Sequence, residues 1–372
     1  MALDEELAAK LPRFRAEAMI AFVAEVLAAE GFRPADARRV GELMVEADLT
    51  GADSHGIFRL PQYVRRLRAG GSNPRPDIAV RRLAPAVAMV EGDNGFGHLV
   101  MSKAAETAID LARENGIAWV GARRSNHAGA GAVHACLPLA AGMIGIYTVV
   151  ASANHMAVWG GADSLLGTNP FAIAIPMGDA DPVVFDMATT VVSYGTVKGH
   201  ALLGTPMPEG WMIDATTGEP LTDPKRSAEG ILLPIGGYKG SGLALMLGLL
   251  AGPLNRAAFG KDVVDFNADD RTVAETGHVL IALDVARFLD PAAFQAEVAR
   301  HLADMRASAR LPGVERIRLP GEMRATRRRD RAVYGVPLPP QLMAQLDRLA
   351  AETGVVALGQ RRGAVMELTV VP

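Results

Sequence analysis

AGAGAVHACLPLAAGMIGIYTVVASA, residues 128–153, is long and apolar enough to resemble a membrane span. Between Arg124 and Asp179 the only formally charged residue is Asp163. Yet the run holds His134, Pro138, Gly142 and Gly145, and its character changes midway. The first half is Ala/Gly-rich, as in a tightly packed helix. The second half, Met143 to Val150, is β-branched, as in a buried strand. The segment therefore predicts a helix over Gly129–Ala141 followed by a core strand, and so a mixed α/β body rather than a membrane protein.

On the N-terminal side the chain is mainly helical. Phe14 to Glu30 repeats Ile20, Val23 and Leu27 at helical spacing and stops at Gly31. Pro34 opens a second helix through Asp48 that ends at Gly51, and Leu60–Ala69 is a third, closed by Gly70-Gly71. Val80–Val90 reads as one strand and Ser102–Asn115 as a helix. On the C-terminal side, strands are expected at Ile117–Val120, Phe171–Ile175, Val183–Asp186 and Val279–Leu283. Helices are expected at Thr190–His200 and Gly240–Leu250, with a long irregular insertion over Gly204–Pro234. The return to helix over Pro340–Glu352 suggests that the C-terminus packs back on the N-terminal unit. The expected division is a mainly helical unit over residues 1–122, a second unit over 123–317, and 318–372 returning to the first.

With 372 residues, 49% hydrophobic and 21% charged, the chain can build a large core in two units. A net charge of −3 draws neither nucleic acid nor an anionic membrane. The basic patch Arg324, Arg327, Arg328, Arg329 and Arg331 lacks the interleaved aromatics of a nucleic-acid surface. A single cysteine, Cys136, excludes an internal disulfide framework, and Met1–Glu6 lacks a signal-peptide core. Both fit a cytoplasmic protein.

Asp53-Ser54-His55-Gly56-Ile57-Phe58-Arg59 carries the most chemistry. If Ser54 caps a new helix, His55 and Arg59 project from the same side. An arginine grips a carboxylate through two parallel hydrogen bonds, and a histidine moves a proton near neutral pH. The pair suits a small substrate with a carboxylate next to a carbonyl.

A dinucleotide site of the Rossmann type would show Gly-x-Gly-x-x-Gly after a strand. Gly95-Phe96-Gly97, Gly129-Ala130-Gly131 and Gly240-Ser241-Gly242 begin that pattern, but Val100, His134 and Leu245 stand where the third glycine belongs. A standard Rossmann domain is not expected. The Gly236–Gly242 run with Lys239 reads equally as a phosphate-binding helix start or a plain one. Ser125-Asn126-His127, Gly167-Thr168-Asn169-Pro170 and Asp186-Met187-Ala188-Thr189-Thr190 put polar groups in apolar surroundings, as structural networks or ligand sites. Asp186 near an imidazole would hold its tautomer. His127 and His134 have no acid or cysteine at ligand spacing, so no metal site is expected. Cys136 reads as inert core.

Taken in order, seven segments resemble the type 2 malate/L-lactate dehydrogenase family of NAD(P)-dependent oxidoreductases. They are Asp53-Ser54-His55-Gly56, Ser125-Asn126-His127, Gly167-Thr168-Asn169-Pro170, Asp186-Met187-Ala188-Thr189, Gly237-Tyr238-Lys239-Gly240, Gly277-His278 and Pro320-Gly321-Glu322. Members include ureidoglycolate, sulfolactate, 2,3-diketogulonate and piperideine-2-carboxylate enzymes. The resemblance implies a non-Rossmann α/β (α+β) fold: a largely antiparallel cofactor domain over 123–317, and a helical domain shared by the two ends. It implies a homodimer with the active site near the interface, and NAD or NADP as cofactor. It carries proton transfer onto His55, with His127 competing for that role, and substrate binding onto Arg59 and Ser54. Asp186, Met187, Ala188 and Thr189 would contact the cofactor or orient His55, and Thr168, Lys239, Gly321 and Glu322 fall on cofactor-contact positions. The implied reaction is hydride transfer between nicotinamide and C2 of a small 2-oxo or 2-hydroxy acid; the alternative is reduction of a cyclic or N-alkyl imino acid. Ala128-Gly129 departs from the family, where many members have a phenylalanine, and the tail Val355–Pro372 has no clear counterpart.

Overall fold

The computed structural model describes residues 11–366; Met1–Glu6 and the end of the tail lie outside the described residues. The first three helices, α1 (Ala16–Ala29), α2 (Pro34–Leu49) and α3 (Leu60–Ala69), close as their punctuation demands. Pro34 stands in the first turn of α2, and Gly70 ends α3 in the left-handed region at φ 86°.

Val80–Val90 is not one strand. It forms a hairpin of β1 (Ala79–Ala84) and β2 (Val87–Gly95), because Pro85 and Ala86 turn the chain. Helix α4 (Gly97–Asn115) then crosses to β3 (Ile117–Ser125), which lies parallel to β2. The position 122 proposed for a unit boundary therefore falls inside β3.

Residues 128–153 form a helix and a strand, but the helix is short. Only α5 (Gly131–Ala135) is α-helical; Leu137–Ala141 tightens to a 3-10 turn around Pro138, which has no N–H to continue the ladder. Strand β4 (Met143–Val149) follows and runs through the sheet interior. Among the described residues no helix is long and apolar enough to cross a membrane.

The remaining elements are β5 (Phe171–Ile175), β6 (Val183–Met187), α6 (Tyr194–Leu203), α7 (Tyr238–Ala251), β7 (Thr276–Asp284), α8 (Pro291–Arg306), α9 (Glu322–Tyr334) and α10 (Pro340–Thr353). The seven strands form one sheet in the order β1-β2-β3-β7-β4-β5-β6, antiparallel except between β2 and β3. Thus the fold is mixed α/β with a central, mostly antiparallel sheet. The insertion after α6 is not wholly irregular: Met212–Asp214 pairs with Gly230–Leu232 over a small core of Val197, Met207 and Leu221.

Two large apolar cores hold the molecule together. One joins α1–α3 to Leu338, Leu342, Leu346 and Leu349 of the C-terminal segment. The short strand Arg13–Phe14 pairs there with Val336–Pro337 and Val365–Met366, so the chain's end does return to its beginning. The other core lies between the sheet and α4, with Val90, Val120, Leu280 and Met101 buried.

Candidate active site

Ser54 does not cap a helix. Asp53–His55 and Ile57–Arg59 are two short 3-10 turns broken at Gly56. The break is imposed by buried Asp48 of α2. Its Oδ2 accepts the Ile57 N–H at 2.9 Å, and a Cβ on Gly56 would lie 1.9 Å from Oδ1. Arg331 of α9, itself buried, pairs with Asp53 and donates to the Asp48 carbonyl. Helix α9 therefore clamps the turn, and His55 and Arg59 emerge from it into one cleft.

That cleft, about 130 Å³, lies between the turn and the ends of β3 and β4, and is lined by His55, Arg59, His127, Tyr147, Thr168 and Lys198, with others. The two imidazoles stack with ring centres 5.7 Å apart and planes 22° apart. His127 Nδ1 accepts the Tyr63 hydroxyl at 2.6 Å and the Gly129 N–H at 3.2 Å. A nitrogen that accepts cannot carry the proton, so the His127 proton sits on Nε2. His55 Nδ1 instead meets Ser54 Oγ at 2.8 Å, which can accept the Nδ1 proton and leave Nε2 as a lone pair. His127 thus offers a hydrogen from Nε2, whereas His55 offers a base at Nε2 when Ser54 accepts its Nδ1 proton.

Arg59 is fixed by Nε donating to the Ser54 carbonyl at 2.9 Å and Nη1 to Gln62 Oε1 at 2.8 Å. No carboxylate pairs with it among the described residues. Its charge, added to burial, pushes His55 down to about 3, and the same causes hold His127 well below the ordinary histidine range. Both rings are neutral at physiological pH.

The far wall comes from a loop held by Arg66. This buried side chain donates to the carbonyls of Asp269, Gly71 and Thr272 and stacks on Phe266, whose ring lies 5.1 Å from that of His127. Tyr147 closes the base of the cleft, its hydroxyl on His278 Nδ1 at 2.9 Å. His278 Nε2 in turn meets Ser125 Oγ at 3.0 Å, so Ser125 and His278 serve a buried network. Asn169 does the same, bridging Ala151 N–H and the Ala244 carbonyl, while Thr168 and Pro170 of its segment line the cleft.

The other expected residues gather elsewhere. Asp186 does not orient His55; its Oδ2 accepts the Ala132 N–H at 2.8 Å at the start of α5. It is exposed on the edge strand β6 yet hemmed in by the surrounding chain, which raises its carboxyl; the Ala132 N–H and Arg324 act the other way. Gly131 separates it from Tyr147, as a Cβ there would lie 3.2 Å from Asp186 Oδ1 and 3.3 Å from the Tyr147 ring. Met187 and Ala188 are half-buried beyond it, and Thr189 is buried, bonded to the Thr168 carbonyl. Gly321, at φ 93°, packs on the β6 backbone where a Cβ would meet Val184 N at 2.8 Å. Glu322 is paired with Arg306 and Arg316. Lys239 is exposed in the first turn of α7 and does not line the cleft.

Tyr63, Tyr147, Tyr194, Lys198 and Phe266 were missed by the sequence reading. For Tyr63 a signal existed, four residues after Arg59 on one helix face. Lys198 and Phe266 carry no local pattern.

Six buried or half-buried histidines (His55, His98, His127, His134, His155 and His278) are held neutral, chiefly by loss of water around the ring. Unfolded imidazoles titrate near 6.5, while His55 and His278 are held at about 3 and His134 at about 4. Their contribution to stability is complete above pH 6.5 and shrinks as pH falls toward 4. Asp48 and Asp186, raised by burial, act in the opposite sense. Six groups outweigh two, so unfolding free energy is expected to drop by several kcal/mol from pH 7 to pH 5. Urea unfolding at both pH values checks this; an unchanged midpoint contradicts neutral burial.

A family model described as malate/L-lactate dehydrogenase matches residues 14–347. Malate dehydrogenase of Pyrococcus abyssi is 35% identical over 358 residues, covering 93% of this chain and 96% of that protein. A Delta(1)-pyrroline-2-carboxylate/Delta(1)-piperideine-2-carboxylate reductase of Pseudomonas aeruginosa is 32% identical over 323 residues, 86% of this chain and 94% of the other. The solved malate dehydrogenase of Pyrococcus horikoshii superposes with a TM-score of 0.85 at 31% identity, covering 93% of this chain and 96% of that one. This chain belongs to the malate/L-lactate dehydrogenase family and is an oxidoreductase.

Proposed function

We propose that the cleft carries hydride transfer between a nicotinamide cofactor and C2 of a small 2-oxo acid, interconverting it with the 2-hydroxy acid. The observation that carries this reading is Arg59, a desolvated cation with no carboxylate partner beside two neutral imidazoles. A buried charge left unpaired is costly, and a substrate carboxylate would complete it. With that carboxylate on Arg59, C2 and its oxygen are proposed to face His55 and His127, which line the same cleft.

The residues present fit a nicotinamide ring. Ala128, Gly129, Ala151, Ser152 and Ala153 keep the cleft wall low, and Thr168 adds a hydroxyl. The bound nicotinamide supplies the hydride in reduction and accepts it in oxidation. In reduction, the carbonyl π pair moves to oxygen, His127 Nε2–H donates a hydrogen bond to that oxygen, and His55, which first takes a proton from solvent at Nε2 to become the imidazolium, delivers that proton to make the hydroxyl. In oxidation, the His55 Nε2 lone pair takes it back. Ser54 holds the His55 tautomer, the role first expected of Asp186.

Asp186, Met187, Ala188, Gly321 and Glu322, at or beside the β6 edge, are proposed to hold the rest of an NAD or NADP molecule, outside any Rossmann turn. Thr189 and Lys239 are proposed cofactor contacts as well. The exposed apolar face of α7 (Leu243, Met246, Leu249, Leu250) with Tyr238 and Leu254 supports a homodimer. The cytoplasm is the proposed location.

The alternative, reduction of a cyclic imino acid, is favoured by one observation: His55 is held near 3, and an imine that arrives protonated needs no acid. The test follows NADH and NADPH oxidation with pyruvate, oxaloacetate and Δ1-piperideine-2-carboxylate. Reduction of a 2-oxo acid is expected. Turnover of the imine alone installs the alternative, and no turnover with any of them overturns both readings.

A further inference from the structure

The geometry points to Lys198 as the anchor for a second acidic group on the substrate, so that the cleft selects 2-oxo acids bearing an anion at each end. This inference rests on the 2-oxo acid reading above and narrows it.

Lys198 lies on α6 and lines the same cleft as Arg59. Its ammonium donates to Asn267 Oδ1 at 3.1 Å and stands 5.3 Å from the Tyr194 ring centre. That ring is itself pinned by His155, stacked 3.8 Å away with planes 10° apart. The cation is therefore held in place by neutral groups. Among the described residues no carboxylate lies within ion-pair distance of it.

The nearest acid is Asp265, whose Oδ1 is engaged by the Asn267 backbone N–H at 2.8 Å and side-chain Nδ2 at 3.1 Å. Asn267 thus stands between Asp265 and Lys198. His55, His127 and His155 face the cleft as neutral rings. Two cations, Arg59 and Lys198, remain without counter-ions in direct contact, and they repel each other across the cleft. A monoacid answers one of them. A diacid answers both and relieves the repulsion.

Lys198 has no place in the proton transfer, so its removal should alter selectivity while the chemistry survives. The probes are oxaloacetate and 4-methyl-2-oxopentanoate, whose isopropyl end matches a carboxylate in shape without its charge. The wild type is expected to prefer oxaloacetate by about 100-fold in kcat/KM, a preference that weakens with added salt. In Lys198→Met, kcat/KM for oxaloacetate should fall about 50-fold, mostly through KM, with the isopropyl acid changed less than about twofold.

An unchanged ratio in the variant overturns the inference. So does an equal rise in the KM of NADH or NADPH with both acids, which would assign Lys198 to a cofactor phosphate. Failure of the underlying reading shows differently: the wild type itself would reduce neither acid.

Discussion

Replacing Arg59 with methionine is expected to lower kcat/KM for a 2-oxo acid by about a thousandfold, or about 4 kcal/mol. The guanidinium is desolvated, held at two of its nitrogens by Ser54 and Gln62, and has no carboxylate partner among the described residues. Its interaction with a substrate carboxylate is therefore made in a low-dielectric cleft, where a charge-assisted pair counts for more than on a surface. Arg59→Lys should recover only part of the loss, because an ammonium cannot present two parallel donors. The same substitution has a second readout. Arg59 helps depress His55, so in Arg59→Met the imidazole should titrate at higher pH. Steady-state kinetics across pH checks both effects. A loss under tenfold, with the pH profile unmoved, contradicts the carboxylate clamp.

The second large effect separates the two histidines. His55→Ala is expected to reduce kcat about a thousandfold in both directions, within the usual reach of general acid–base catalysis. His127→Ala should cost about tenfold, because a ring whose Nδ1 accepts from Tyr63 and Gly129 gives the oxygen one hydrogen bond and nothing more. The pH dependence follows from the low pKa of His55. Oxo-acid reduction needs the imidazolium, so its kcat/KM should fall about tenfold per unit as pH rises above 5. Hydroxy-acid oxidation needs the neutral ring, present throughout that range, and should stay level. If His127→Ala proves the more damaging variant, the roles are reversed.

Much of the helical unit was legible because its boundaries are local chemistry. Gly31, Pro34, Gly51 and Gly70 punctuate α1–α3 without help from the rest of the chain. β-Branched runs likewise announced β4 and β5. The hairpin of β1 and β2 was read as one strand because Leu83-Ala84 and Ala86–Met89 continue the apolar run on both sides of the turn at Pro85. Helix α8 was overlooked for the opposite reason: it buries no residue, so it shows no clear apolar stripe, although Asp290 caps it through the Ala293 N–H.

The cleft divides in the same way. His55 and Arg59 share one turn, and their proximity is visible in their spacing. Asp186 was matched to the wrong neighbour, because whether a distant acid meets an imidazole or the Ala132 N–H depends on how β6 packs against α5. Lys198 and Phe266 reach the cleft on a helix and a loop that only tertiary structure brings together, the loop through Arg66 and its three carbonyls.

The most direct test of hydride transfer at C2 uses NADH and NADPH carrying deuterium at both C4 positions of the nicotinamide, with oxaloacetate or pyruvate in ordinary water. The account predicts one deuterium at C2 of the hydroxy acid, delivered to a single face, with labelled product formed about a thousandfold less efficiently by Arg59→Met. Unlabelled product, or label divided between both faces, would contradict it.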